Sequence, residues 1–259
     1  MSALSPIYNL PIQYKQGGVI TKASNTTLSV TSCLVRSSDD SFDINVGDYF
    51  GAASATTVNG AVNGLNGLDT GSLAASTVYA VYAIADQAGY NPAGFLLSTS
   101  LTAPLLPNGT FPSNYNVYSR IGWAITDSST HFVLLRTSGS GRAVTYTYDV
   151  PPQVLSAGNA TTQTAVSLAG VVPPVDGIPV QMAANFLPGT AGQSGVICYS
   201  GGTIGSATNI IIGQVASIHI EEQMNLPAAL ISGVPKVDYQ VSNSAAALSL
   251  WVSSFTDLL

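Results

Sequence analysis

The chain has 259 residues, room for two ordinary domains or one large β domain. It carries seven Lys plus Arg and thirteen Asp plus Glu, for a net charge of −6. That is 8% charged residues, where an ordinary soluble domain has about 25%. With so few cations and no basic cluster, nucleic-acid binding and a polybasic membrane patch are excluded, and so sparse a set of titratable groups favours architecture over catalysis.

Glu occurs only at Glu221 and Glu222, and Lys only at Lys15, Lys22 and Lys236. Those residue types normally fill exposed helix positions. Ser, Thr, Asn, Gly, Val and Tyr stand in their place and suit strands and turns. Hydrophobic residues make up 46% of the chain, which supplies a core and argues against disorder. The long uncharged stretch 87–119 is interrupted by Pro92, Pro104, Pro107 and Pro112. The apolar segment 245–255 falls short of the ~20 residues a spanning helix needs, so no membrane insertion is expected. Met-Ser-Ala-Leu-Ser-Pro at the start has neither a basic nor an apolar signal region, so no signal peptide is expected.

In chain order, residues 1–18 read as a leader with Pro6 and Pro11, ending in Gly17-Gly18. Its apolar set (Leu4, Ile7, Tyr8, Leu10, Ile12 and Tyr14) has no helical period, and suits an extended arm docking on a partner better than a free tail. From 19 to 150 short strands alternate with turns. Residues 28–35 alternate as one strand, 37–41 form a polar turn, and 42–46 a second strand. Residues 78–84 are apolar on both faces, the mark of a central strand. Residues 121–125 and 131–135 flank Asp127-Ser128-Ser129 as a hairpin, and 144–148 closes the unit. Pro151-Pro152 is a boundary, because two prolines do not sit inside a central strand. Seven further strands are predicted, at 165–168, 179–182, 195–199, 209–215, 218–222, 236–241 and 248–252, enough for a second β-sandwich.

Few motifs carry chemistry. Leu68-Asp69-Thr70-Gly71-Ser72 matches the aspartic-protease signature, but that mechanism needs two carboxylates sharing a proton and no second Asp-Thr/Ser-Gly exists. A polar loop is the favoured reading. Asp39, Asp40, Asp43 and Asp48 lack the spacing of a calcium loop and read as a solvated turn. His131 and His219 have no zinc pattern around them; His219, two residues before Glu221, suggests a cross-strand or interface polar pair. The distance along the chain between Cys33 and Cys198, and their apolar neighbours, favour buried thiols over a disulfide, which fits synthesis in a cytoplasm. No cofactor motif is present. Tyr90, Tyr115 and Tyr118 fall in the Pro- and Asn-rich stretch 89–119, where they would either contact a sugar or protein neighbour or fill the lid of the sandwich.

Asn66-Gly67-Leu68-Asp69-Thr70-Gly71-Ser72-Leu73-Ala74-Ala75-Ser76-Thr77, followed by Tyr79-Ala80-Val81-Tyr82, resembles a module of bacteriophage virion structural proteins of the short fibre or collar appendage type. Leu96 to Ser100, Ala103 to Pro107 and Tyr118-Ser119-Arg120-Ile121-Gly122-Trp123 extend the resemblance, with Ser119 standing where that family has Arg. Val171-Val172-Pro173-Pro174 and Val237-Asp238-Tyr239 resemble its jelly-roll-like tail more loosely. The resemblance implies an all-β chain of two tandem β-sandwich/jelly-roll-like domains (19–150 and 151–259) with an extended N-terminal attachment arm (1–18). It implies a non-enzymatic virion part, assembled in the host cytoplasm: a homotrimeric tail or collar fibre whose arm joins it to portal, neck, tail or capsid proteins. A capsid decoration (cement) protein of similar fold and a module binding a host surface glycan are the alternatives.

Overall fold

The computed structural model describes residues 11, 14–47, 54–106, 115–140, 143–202 and 209–258. Its twenty elements are all β-strands, and among the described residues no helix is long and apolar enough to cross a membrane. In chain order they are β1 (Lys15–Gly17), β2 (Ile20–Lys22), β3 (Thr27–Val30), β4 (Cys33–Arg36), β5 (Asp43–Val46), β6 (Thr56–Asn59), β7 (Gly67–Leu68), β8 (Val78–Asp86), β9 (Gly94–Ser98) and β10 (Tyr115–Ile125). There follow β11 (Leu135–Ser140), β12 (Ala143–Tyr148), β13 (Gln153–Gly158), β14 (Thr164–Ser167), β15 (Ile178–Leu187), β16 (Ser194–Tyr199), β17 (Asn209–Ile212), β18 (Ile220–Ile231), β19 (Val234–Val241) and β20 (Ala247–Leu258). The chain divides into two compact units, Met1–Val144 with Asp257–Leu259, and Thr145–Thr256.

The first unit holds three small sheets ordered β1-β4-β5, β2-β3-β6 and β10-β8-β9-β7. β8 lies between β10 and β9, and eight of its nine residues are buried. That is the outcome its doubly apolar sequence dictates, because both faces of the strand are covered. Phe95, Leu97, Val81, Ala83, Ile44, Val58 and Phe132 share one core.

The run 28–35 is two strands rather than one. β3 pairs with β2 and β6, the chain breaks at Thr31-Ser32, and β4 then pairs with β1 and β5 in another sheet. The change of sheet explains why Cys33, Leu34 and Val35 are all buried instead of alternating. The turn at Asp127 forms as read, with its Oδ1 accepting the N–H groups of Ser129 (2.8 Å) and His131 (2.9 Å). The return strand expected at 131–135 shrinks to a single bridge, Thr126 with Phe132, because the Phe132 N–H goes to Asn25 instead. Residues 15–17, the end of the expected arm, are β1.

The second unit is built on a large antiparallel sheet running β12-β20-β15-β18-β19-β16-β17, with β13 on β20 and β14 on β19. Its long strands alternate: in β15, Ile178, Val180, Met182, Ala184 and Phe186 are buried while the residues between them are not. β20 follows the same rule with Leu248, Leu250 and Val252 inward. Tyr146 stacks on Phe255 at 5.0 Å between centroids. The strand expected at 218–222 runs instead from 220 to 231 through Pro227, which faces Pro179 across the β15–β18 ladder. Neither ring is asked for the N–H it lacks, since β15 begins pairing with β20 at Val180 and β18 with β19 at Ala229.

Candidate functional site

Several of the residues singled out for chemistry are tied into the fold by hydrogen bonds or ion pairs. Asp69 follows β7, is buried, and accepts the Leu105 N–H at 2.9 Å. Gly67 just before it admits no side chain, since a Cβ would lie 2.4 Å from the Val62 carbonyl oxygen. Asp43 is paired with Arg36 at 2.9 Å, and Asp39 accepts the Ser37 hydroxyl at 2.6 Å, a bond that holds its carboxyl below the ordinary range. Asp48 lies outside the described residues. Among the described residues no three His, Cys, Asp or Glu gather as metal ligands. Cys33 and Cys198 are both buried free thiols, and burial pushes Cys33 up to about 12.

Asp86 at the end of β8 accepts four hydrogen bonds. Burial alone would raise it, but the N–H groups of Ala88, Tyr90 and Asn91 and the Asn91 amide, at 2.8 to 3.0 Å, hold it below the usual carboxylate range. No sequence motif marks this turn in advance; an Asp followed by Asn five residues on, around Gly89, is the faint signal.

The three tyrosines do not form one surface. Tyr90 is 83% exposed in the turn that Asp86 ties. Tyr115 is buried on β10, its hydroxyl donating to the Pro92 carbonyl at 2.5 Å, which assigns it to packing. Tyr118 meets Tyr82 edge to face at 5.9 Å. The stretch 89–119 holds β9 and the start of β10, so two of the three stand on a strand rather than in a loop. Of the leader's apolar set only Tyr14 is among the described residues; Leu4, Ile7, Tyr8, Leu10 and Ile12 lie outside them.

A groove that sequence reasoning missed lies on the outer face of the second unit's sheet. The registers of β20, β15 and β18 put Trp251, Ala183 and Gln223 in one row, and Ser249, Asn185 and Glu221 in the next. Their strand neighbours Leu250, Val252, Met182, Ala184 and Met224 are buried, so this row faces outward. The small Ala183 between Trp251 and Gln223 leaves a cavity of about 480 Å³, lined also by Asn185, Glu221 and Glu222. The Nδ1 of His219 lies 2.5 Å from the Oδ1 of Asn185, one of the lining residues. The polar partner of His219 is thus across the sheet on β15, beside Glu221 rather than Glu221 itself. A half-buried indole ringed by amides and a carboxylate offers an apolar plate and several hydrogen-bonding groups to one small polar ligand.

No protein-family model and no curated protein matches the chain. Among solved structures it is similar to a carbohydrate-binding module of Cellvibrio mixtus lichenase 5A in complex with cellotriose. That likeness has 12% identity and a TM-score of 0.23, over 47% of this chain and 86% of that one. It is similar also to the functional form of the mosquito-larvicidal Cry4Aa toxin from Bacillus thuringiensis, with 10% identity and a TM-score of 0.20, over 95% of this chain and 52% of that one. Likenesses at these scores do not bear on what this chain binds.

Proposed function

We propose that the protein is an architectural, non-catalytic component of a bacteriophage virion, a short trimeric tail or collar fibre of two tandem sandwich and jelly-roll-like domains attached through its N-terminal arm. One observation carries the reading: the residues on which the resemblance rests are framework. Gly67-Leu68 is β7, Tyr79 to Tyr82 lie in buried β8, and Arg120 to Trp123 lie in β10, where the Trp123 Nε1–H donates to Asp257 Oδ2 at 2.7 Å. A motif kept for its turns and core suits a scaffold, whereas a catalyst would expose the same groups in a cleft.

Light scattering on the purified chain tests it. The expected mass is three times the 26.5 kDa of one chain; a monomer at every concentration overturns the trimeric fibre. Deleting residues 1–13, which keeps β1, is expected to leave a folded oligomer that no longer joins particles.

The Trp251 groove favours a second reading, in which the same protein binds a host glycan through its second unit. An indole stacks on the C–H face of a sugar while Asn185, Gln223 and Glu221 bond its hydroxyls. Calorimetry with neutral host oligosaccharides checks this: binding that Trp251→Ala abolishes supports it, and no binding, or binding indifferent to that change, removes it.

A further inference from the structure

In a chain with seven Lys and Arg in all, three of them line one small cavity of the first unit. Lys15 comes from β1, Arg36 from the end of β4 and Arg120 from β10, and the cavity of about 180 Å³ between them is completed by Tyr14 and the hydroxyl residues Ser37, Ser38 and Ser119. Like charges repel at such range, so their assembly calls for an anion.

The carboxylates in contact meet only part of that need. Arg36 gives one Nη to Asp43 at 2.9 Å and the other to the Asp40 carbonyl, and its Nε is buried with no hydrogen-bond partner. Arg120 lies over the Trp123 ring at 4.3 Å, with its Nη1 3.2 Å from Asp257 Oδ2 but not aligned for a hydrogen bond, so that nitrogen too is buried without one. Lys15 donates to the Ile121 carbonyl and, among the described residues, has no carboxylate within ion-pair distance. Three cations therefore face two carboxylates, with N–H capacity to spare.

We infer that this cavity is a binding site for a tetrahedral oxyanion, phosphate or sulfate, held by Lys15, Arg36, Arg120 and the Ser119 hydroxyl, while the Ser37 and Ser38 hydroxyls donate to Asp39 Oδ1 and the Tyr118 carbonyl. The donors arrive from three strands in different directions, which suits an acceptor with oxygens on all sides better than a planar carboxylate. Volume agrees, since the space takes one such group with part of what it is esterified to. Burial holds the Lys15 ammonium below the ordinary lysine range, and an anion beside it would act in the opposite direction.

The probe is inorganic phosphate, titrated against the full chain at constant ionic strength and followed by calorimetry and by the unfolding midpoint. Saturable binding and a rising midpoint are expected, weakened at least tenfold in Lys15→Met. Because that ammonium is buried without a carboxylate partner, Lys15→Met is also expected to be no less stable than the parent in phosphate-free chloride buffer, so lost binding there is not lost folding. Ser119→Ala, which keeps every charge, is a second variant, expected to weaken binding less. Sulfate and glycerol phosphate then separate a free ion from an ester: tighter binding of glycerol phosphate identifies the ligand as an esterified phosphate, and equal binding a free ion. No shift beyond that of chloride, or one equal in parent and Lys15→Met, overturns the site.

Discussion

The two units bury their strands in different ways. In the first, β8 and β9 are covered on both faces, and three small sheets share one core. In the second, β15, β18 and β20 form a one-sided sheet whose outer face carries Trp251, Asn185 and Gln223. A strand covered on both faces has no surface to offer, so the first unit's cavity lies where strands are only partly covered, at Lys15 in β1, Arg36 at the end of β4 and Arg120 in the half-buried middle of β10. A one-sided sheet offers its whole outer face. The same β chemistry thus places a pocket at an edge in one unit and on a flat face in the other.

The sharpest way to break this comparison is to remove a large buried side chain from the first unit. Trp123→Ala removes a buried indole and leaves Asp257 without its donor, and is expected to cost about 4 kcal/mol in chemical denaturation. A cost below ~1 kcal/mol would mean that the strands around it are not tightly covered. Next comes Gly67→Ala, whose Cβ meets backbone and is expected to cost about 2 kcal/mol. Gly71→Ala, at φ +78° with open space around it, is expected to cost about 1 kcal/mol from backbone strain alone. Equal effects would deny the tight approach at β7.

Asp86 sharpens the pH dependence of the first unit. Its folded pKa lies below the unfolded value of about 4, so its contribution is present above that pH and lost as pH falls through the folded pKa. Asp86→Asn is expected to be less stable than the parent at pH 7, with the gap closing below about pH 4; a gap constant with pH would show that the charge is not what the turn uses. The smallest stability effect belongs to the second unit: Trp251→Ala on the outer face is expected to change stability by less than ~1 kcal/mol while removing any saccharide binding. A large loss of stability would make Trp251 a core residue and close the groove as a site.

Local chemistry was legible in the chain and long-range convergence was not. The doubly apolar run at Val78 to Ile84 announces β8, and Asp127 announces its turn, because neighbours along the chain settle both. The break at Thr31-Ser32 was hidden, since the alternation continues through a change of sheet. The length of β18 was hidden by Pro227, which reads as a stop unless one knows that its N–H side carries no ladder there. Lys15, Arg36 and Arg120 look scattered and meet only through β1, β4 and β10. Trp251 gains its meaning from Ala183 and Gln223 on two other strands. Tyr115 misleads in the opposite sense: an aromatic amid prolines and asparagines that turns inward.

Asp257 belongs to the first unit although the whole of the second precedes it along the chain. On the ribosome, Trp123 and Arg120 therefore emerge more than a domain's length before the carboxylate that receives them. The first unit is begun before the second and completed after it, and the second is strung between two chain crossings.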